Sequence, residues 1–212
     1  MQTFILSGVR AAKTKFSPAL LQPMSVVELV AYFKENAAMH RVREMTAGLV
    51  FQKIPFELRR GAVALFLAEI CRKTIREEES NPILFDFLLK TLDFLDQTDQ
   101  PIANLHLHFL LHLTSFLGFL PHGEASKETP FFDLQEGFFV ETKPAHPFFM
   151  NETESSAVQK LLESSLENCH EIALPKPLRK AILTQLLKFY QLHIDHFREV
   201  HTPEILEMVL EN

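Results

Sequence analysis

Three histidines lie close together in the segment His106-Leu107-His108-Phe109-Leu110-Leu111-His112. His108 and His112 are four residues apart, so on a helix they share a face, and a two-histidine metal site uses this spacing. No Glu follows His108, as it would in a metalloprotease helix, and no third ligand lies nearby. His193 and His196 form a similar pair, three residues apart. Histidines that border an apolar stripe usually serve packing, so we expect no metal at either pair. A metal-dependent hydrolase is the alternative that elemental analysis would test.

Other catalytic arrangements are absent from the sequence. The six glycines are scattered singly and form no phosphate-binding loop. Neither Cys71 nor Cys169 has neighbours typical of a nucleophile. The run Glu77-Glu78-Glu79 is interpreted as a solvated helix end rather than a cation site. The sequence therefore predicts a protein that is not an enzyme.

Cationic side chains in the first quarter of the chain are better candidates for a functional site. Arg10, Lys13 and Lys15 lie in a polar stretch that leaves a predicted strand, where flexible side chains can reach backbone phosphates. Arg41 and Arg43 alternate with Val42, so in a strand both project from one face. This pattern favours a nucleic-acid surface.

Aromatic residues accompany these cations. Phe4, Tyr32 and Phe33 offer stacking surfaces for bases if they are exposed, and core packing is the alternative for the two phenylalanines. Strands, cationic loops and an aromatic residue together are typical of an oligonucleotide-binding barrel, although three strands are too few to close one.

The distribution of charge agrees with a basic working surface on an acidic scaffold. The chain has 212 residues and a net charge of −6, but residues 1–60 contain nine Lys/Arg against four Glu, a net +5, which leaves −11 for the remainder. Chance clustering is the alternative explanation. A basic segment favours a polyanionic partner.

Composition excludes several classes of protein. With 47% hydrophobic and 23% charged residues, the chain is neither collagen-like, nor largely disordered, nor a coiled coil. Histidines interrupt the most apolar stretch, residues 102–120, so no membrane span is expected, and the N-terminus lacks the pattern of a secretory signal. Two cysteines favour a reducing compartment. We therefore expect a cytoplasmic protein with one large domain or two small ones.

Periodicity predicts strands first and helices afterwards. Strands are expected over residues 3–7, 27–34 and 39–45, with a helix over 25–35 as the open alternative for the second. The first helix is expected after Pro55, which is placed in its first turn. Further helices are expected over approximately 84–95, 105–117, 154–166, 178–198 and 203–210.

Residues 121–150 interrupt the helical pattern. They contain several prolines, and two short extended pieces are expected around a turn at residues 135–137. The phenylalanines of this insertion should pack onto a helical bundle.

Several motifs occur in a distinctive order along the chain. They are residues 8–15 followed by Leu20-Leu21-Gln22-Pro23-Met24, then Phe116-Leu117-Gly118-Phe119-Leu120-Pro121, then Phe132-Asp133-Leu134-Gln135-Glu136-Gly137, and finally residues 190–197 followed by 201–206. In this order they resemble RecO, the bacterial recombination mediator family, over essentially the whole chain.

The resemblance implies an α+β fold that is mostly α, with a partial oligonucleotide-binding (OB-like) β-sheet followed by an all-helical bundle domain. We expect an incomplete OB-like domain over residues 1–50 and a helical domain over 51–212 with an irregular insertion at 121–150. The family's first two barrel strands precede what is Met1 here.

The implied activity is to bind single- and double-stranded DNA and to anneal complementary strands in recombinational DNA repair. With RecR, such proteins load RecA onto DNA coated by single-strand-binding protein, whose acidic, apolar-ended C-terminal tail they also bind. The resemblance also implies a bacterial, nucleoid-associated location. Arg10, Lys13 and Lys15 align with the family's basic turn, so the resemblance implies that they contact phosphates. Arg41 and Arg43 are further candidates, which rest on the strand pattern instead.

One departure from the family concerns zinc. Many members hold a zinc ion with four cysteines in the region that corresponds to residues 122–150, and this chain has no cysteine there. We therefore expect no metal and no cofactor, with phenylalanine packing in their place.

The alternative function is a helical protein-interaction adaptor of the same pathway that binds little DNA itself. An acidic tail requires a basic rim around an apolar pocket. Arg179, Lys180 and Lys188 are the candidate rim residues on the longest predicted helix.

Overall fold

The first quarter of the chain forms a three-stranded sheet in the computed structural model. The strands are β1 (Phe4–Ile5), β2 (Val26–Tyr32) and β3 (His40–Leu49), in the order β1-β3-β2. β1 runs parallel to β3, and β2 runs antiparallel to it. The strand predictions are therefore confirmed, and a helix over 25–35 is wrong. The structure describes residues 3–7, 16–22, 24–33, 38–76 and 80–210.

Six α-helices follow within the described part of the chain. They are α1 (Leu58–Thr74), α2 (Pro82–Gln97), α3 (Leu105–Leu117), α4 (Glu152–Glu163), α5 (Lys176–His193) and α6 (Thr202–Leu210). Short 3-10 helices occupy Pro18–Leu21 and Cys169–Glu171. This composition confirms an α+β fold that is mostly α. Among these helices, none combines the length and apolar character needed to cross a membrane.

Helix α3 forms the centre of the core. Nine of its 13 residues are buried, and it contacts α1, α2, α4 and α5. Leu107, Leu110 and Leu113 are wholly buried. Packing against apolar neighbours on all sides, rather than on one stripe, explains why its sequence is apolar almost all the way round.

Local signals in the sequence set several helix ends. Asn81 accepts a hydrogen bond from the Leu84 amide and precedes Pro82 at the first position of α2. Asn151 and Glu154 form a complete capping box at the start of α4. Gly118 ends α3 at φ +86°, a left-handed conformation that glycine adopts without strain.

Helix α6 receives its N-terminal cap from another helix. The helix expected over 203–210 begins at Thr202, whose amide and hydroxyl, with the His201 amide, donate to the buried Glu69 carboxylate of α1. Burial alone would raise the pKa of Glu69, but these hydrogen bonds and Lys73 outweigh it and lower that pKa. Glu69 therefore fastens α6 to α1.

The expected ends of α1 and α5 are wrong. Pro55 lies in a turn in which the Phe56 and Glu57 amides donate to the Lys53 carbonyl oxygen, and α1 begins only at Leu58. Helix α5 stops at His193 instead of continuing to residue 198. His196 has φ +61°, which reverses the chain and returns Phe197 to the core, its ring 5.6 Å from that of Tyr190.

The insertion folds into a second small sheet on the bundle. Its strands are β4 (Phe131–Asp133), β5 (Phe138–Val140) and β6 (Phe149–Met150), in the order β5-β4-β6. The two extended pieces around residues 135–137 are confirmed. Phe132 is wholly buried, with its ring 4.8 Å from that of Phe139 and 5.4 Å from that of Phe189 on α5. Aromatic packing therefore attaches the insertion to the helices.

Candidate nucleic-acid interface

The candidate interface lies at one end of the three-stranded sheet. Arg41 on β3 pairs with Tyr32 on β2, and cross-strand partners present their side chains on the same face. Arg41 and Arg43 are exposed, whereas Val42 between them is 5% exposed and lies in the core. Both arginines therefore project away from the buried face, together with Tyr32.

A β-bulge places Arg43 at this site. Val30 pairs with Glu44 and Ala31 pairs with Val42, so Arg43 is the extra residue of the bulged strand. Its Nε lies 2.9 Å from Glu44 Oε1, and both side chains are more than half exposed. Such an exposed ion pair contributes little stability, so Arg43 can exchange Glu44 for a phosphate at small cost.

A cavity of about 550 Å³ opens between these side chains. Its lining residues are Ser7, Phe16, Tyr32, Met39, Arg41, Val42 and Arg43. Phe16 and Val42, which are almost completely buried, contribute apolar lining, and Arg41 and Arg43 contribute cationic side chains. No acidic residue belongs to this described lining. The size and mixture of groups suit a ligand with an apolar ring and an anionic group.

The opposite face of the same sheet end carries a different aromatic group. Phe33 stacks on His40 at a ring distance of 4.5 Å and an angle of 17°, and the Phe4 ring lies 5.9 Å from His40. His40 is buried between them. Phe33 is thus exposed on one side only, because His40 already occupies the other.

The cations of the first quarter do not all face solvent. Arg10, Lys13 and Lys15 lie outside the described residues. Arg60 is buried and donates to the carbonyl oxygens of Leu95 and Thr98 at the end of α2. Lys53 Nζ lies 2.7 Å from Asp99 Oδ1 and also donates to the Gln97 carbonyl. Lys53 and Arg60 therefore neutralise the negative end of α2 rather than extend the basic surface.

A buried carboxylate fixes the connection between the sheet and α1. Asp96, wholly buried near the end of α2, accepts hydrogen bonds of 2.8 Å from each of the Gln52, Lys53 and Ile54 amides. Burial alone would raise the pKa of Asp96, but these three hydrogen bonds and Arg60 outweigh it and hold that pKa below its usual value. The sequence offered no local signal for this contact, which spans more than 40 residues.

The structure brings together only two of the three candidate partner-binding cations. Arg179 and Lys180 line a small pocket between α5 and α6 whose other lining residues are His106, Lys176, Leu183, Leu206, Glu207 and Leu210. Lys180 Nζ lies 2.7 Å from Glu207 Oε2. Lys188 does not line this pocket, and its Nζ instead lies 4.8 Å above the Phe148 ring.

The three histidines of α3 serve packing in the structure. Burial, together with Arg179, lowers the pKa of His106 to about 3, and burial, together with His112, lowers the pKa of His108 to about 4. The His108 Nε2 atom lies 3.1 Å from the Ser164 carbonyl oxygen. In the second histidine pair, His193 at the end of α5 has its Nε2 atom 2.9 Å from the Leu134 carbonyl oxygen, and His196 lies beyond the helix. The described residues contain no group of three or more His, Cys, Asp or Glu that could hold a metal ion.

Comparison with known proteins identifies the family. Residues 55–201 match the family model described as "Recombination protein O C terminal". The chain is 33% identical over 208 residues to the DNA repair protein RecO of Christiangramia forsetii, covering 98% of this chain and 86% of that protein. It is 31% identical over 207 residues to the RecO protein of Flavobacterium psychrophilum, covering 97% and 85%. It is 29% identical over 205 residues to that of Phocaeicola vulgatus, again covering 97% and 85%. The chain therefore belongs to the RecO family.

Proposed function

We propose that this protein acts in recombinational DNA repair as a DNA-binding mediator rather than as an enzyme. The observation that carries the proposal is the exposed face with Arg41, Arg43 and Tyr32, on a chain whose relatives are named DNA repair proteins. Arginine guanidinium groups suit phosphate contact because they stay charged and donate hydrogen bonds in a planar fork.

Binding at this face rests on neutralisation of phosphates. Such binding has little sequence preference, and each phosphate contact releases counterions, so affinity falls steeply as salt increases. Arg10, Lys13 and Lys15 are proposed to extend the contact along the nucleic-acid backbone, as the family resemblance implies.

Fluorescence anisotropy with labelled oligonucleotides tests the proposal. The double variant Arg41→Glu/Arg43→Glu should weaken binding to every sequence alike and reduce the salt dependence. Arg59→Glu is a matched control, since Arg59 is also an exposed arginine but lies on α1. Absence of binding by the unmodified protein even at low salt, or equal losses in the Arg59 variant, would overturn the proposal.

From the family resemblance we also propose a specific activity: together with RecR, the protein loads RecA onto DNA covered by single-strand-binding protein. The test is RecA-dependent ATP hydrolysis on such DNA, which should start faster when both this protein and RecR are present. The Arg41→Glu/Arg43→Glu variant should lose the effect. Unchanged kinetics with the unmodified protein would contradict this step.

An adaptor that binds an acidic, apolar-ended peptide is the second candidate function. The observation in its favour is the pocket between α5 and α6, where Arg179 stands beside an apolar floor that includes Leu183 and Leu206. The pocket also lies at the positive N-terminal end of the 18-residue α5, which favours a carboxylate. It is small, about 40 Å³, and suits a single group rather than a long segment.

The tail peptide of single-strand-binding protein tests the adaptor. Arg179→Glu should abolish its binding, whereas Lys188→Glu should leave it unchanged because Lys188 lies outside the pocket. Retention of the peptide by a chain that fails to bind DNA would favour the adaptor over the mediator. Equal losses in the two variants would contradict this pocket as the site.

A further inference from the structure

Tyr32 has a position that none of the other described aromatic side chains of the sheet shares. It is 61% exposed, pairs across the strands with Arg41, and lines the cavity that also contains Arg43. The apolar side chains of Phe16 and Met39 line the same cavity. A flat ring beside two guanidinium groups provides a stacking surface and an anion-binding rim within one site.

These two kinds of contact respond differently to the state of a nucleic acid. Phosphates are available on single strands and on duplexes, so Arg41 and Arg43 can contact either form. Both faces of a base inside a duplex are covered by its neighbours, whereas an unpaired base can stack on an aromatic side chain. Of the two contacts, only the aromatic one can distinguish the two forms.

Phe33 provides an internal comparison. It is 65% exposed, nearly the same fraction as its neighbour Tyr32, but lies on the opposite face of the strand. One face of its ring is already stacked on His40, and Phe33 does not line the cavity with the arginines. Exposure of an aromatic ring alone therefore does not define the site; the position beside Arg41 does.

We propose that Tyr32 is the residue by which this site selects unpaired nucleotides: a base stacks on its ring while Arg41 and Arg43 hold the adjacent phosphates. The inference rests on the proposed DNA-binding function and assigns a specificity-determining residue within it. The ligand is a single-stranded segment with little sequence preference, since every base has a face that can stack.

Affinity measurements on three substrates separate the contributions. Tyr32→Ala should weaken binding to a single-stranded dT oligomer roughly 5- to 150-fold, the range for loss of one stacked base, and should leave duplex affinity unchanged. Phe33→Ala, the matched control, should change neither. An oligomer with abasic sites has no base to stack on Tyr32. Its affinity for the unmodified protein should therefore equal the affinity of the dT oligomer for the Tyr32→Ala variant.

Intrinsic fluorescence gives a second, direct readout. The chain has no Trp and two Tyr, and Tyr190 is wholly buried with its hydroxyl bonded to the Leu110 carbonyl oxygen. Emission that a bound oligomer can quench by stacking therefore comes from Tyr32. The dT oligomer should quench it, the abasic oligomer should not, and Tyr32→Phe should bind normally while losing the quenching.

Failure of this inference is distinguishable from failure of the proposed function. If the unmodified protein binds DNA but Tyr32→Ala loses single-stranded and duplex affinity equally, or loses neither, Tyr32 does not select unpaired nucleotides. Binding of the dT oligomer without quenching would also overturn the stacking contact. If no oligomer binds, the proposed function itself fails.

Discussion

Replacement of Asp96 by Ala tests whether the connection between the sheet and α1 depends on one carboxylate. The substitution removes the acceptor for the Gln52, Lys53 and Ile54 amides, each at 2.8 Å. The Ile54 amide is buried, whereas the other two are only partly buried and can bond to water instead.

The expected loss follows from these differences. A buried donor left without a partner costs about 1–3 kcal/mol, and each of the two partly buried hydrogen bonds contributes about 1 kcal/mol. The free energy of unfolding of Asp96→Ala should therefore fall by about 4 kcal/mol, a large part of the stability of a domain of this size. Asp96→Asn retains one carbonyl oxygen and should lose about half as much.

Urea unfolding followed by circular dichroism at pH 7 measures this loss. Asp99→Ala is the matched control, since Asp99 contacts the same Lys53 from an exposed position and its removal should cause no measurable change. A loss below about 1 kcal/mol in Asp96→Ala would refute the reasoning, because the three amides would then have other acceptors. Equal losses in the Asp96 and Asp99 variants would also refute it, because an exposed carboxylate would then contribute as much stability as the buried one.

Three further predictions concern the stability of the helical part of the chain. The pKa of His106 is about 3 in the folded state and 6.5 in the unfolded state, so the unfolded state binds this proton first as pH falls. The free energy of unfolding is therefore highest above pH 6.5, and it should fall by about 2 kcal/mol between pH 6.5 and 5. In urea titrations at these two pH values, His106→Leu should lose about 2 kcal/mol less than the unmodified protein, and parallel losses would contradict the assignment. Asn151→Ala should lower the free energy of unfolding by about 1 kcal/mol through loss of the capping box, and a neutral result would show that packing alone holds α4. Gly118→Ala should lower the thermal midpoint through a conformational cost of about 1 kcal/mol, because its φ is +86° while no atom lies within 4 Å of the added Cβ; an unchanged midpoint would refute strain at this residue.

Features that depend on local sequence were predictable. The strands expected over residues 27–34 and 39–45 correspond to β2 and β3, and the helices expected over 84–95 and 154–166 correspond to α2 and α4, because residue composition and apolar periodicity are local signals. Each of these signals acts within a few residues of the position it determines. Elements of this kind can therefore be predicted from the sequence.

Features that depend on distant contacts were not predictable. Lys53 and Arg60 belong to the basic first quarter of the sequence, where they would be expected to be surface cations. In the structure both donate to backbone carbonyl oxygens at the end of α2, more than 30 residues away. The apolar periodicity of α5 extends to Phe197 because that residue is buried, yet it reaches the core after a chain reversal rather than as part of the helix. Burial alone does not reveal the backbone conformation that produces it.

The candidate site combines both cases. Alternation around Val42 predicts that Arg41 and Arg43 share a face, and the structure places both on the exposed side. The cavity is also lined by Phe16 and Met39, for which the sequence contains no local signal that links them to the arginines. The residues were identifiable from the sequence, but the shape of the site was not.

The enclosure of α3 has a consequence for hydrogen exchange. Over residues 105–114, where every residue except His112 is buried, α3 is covered by four neighbouring helices and cannot fray while the rest of the fold persists. Its amide hydrogens should therefore exchange with solvent only when the whole bundle unfolds, and their protection equals the global free energy of unfolding. The amides of His106 to Leu113 thus provide an internal gauge of global stability in the native protein, without denaturant.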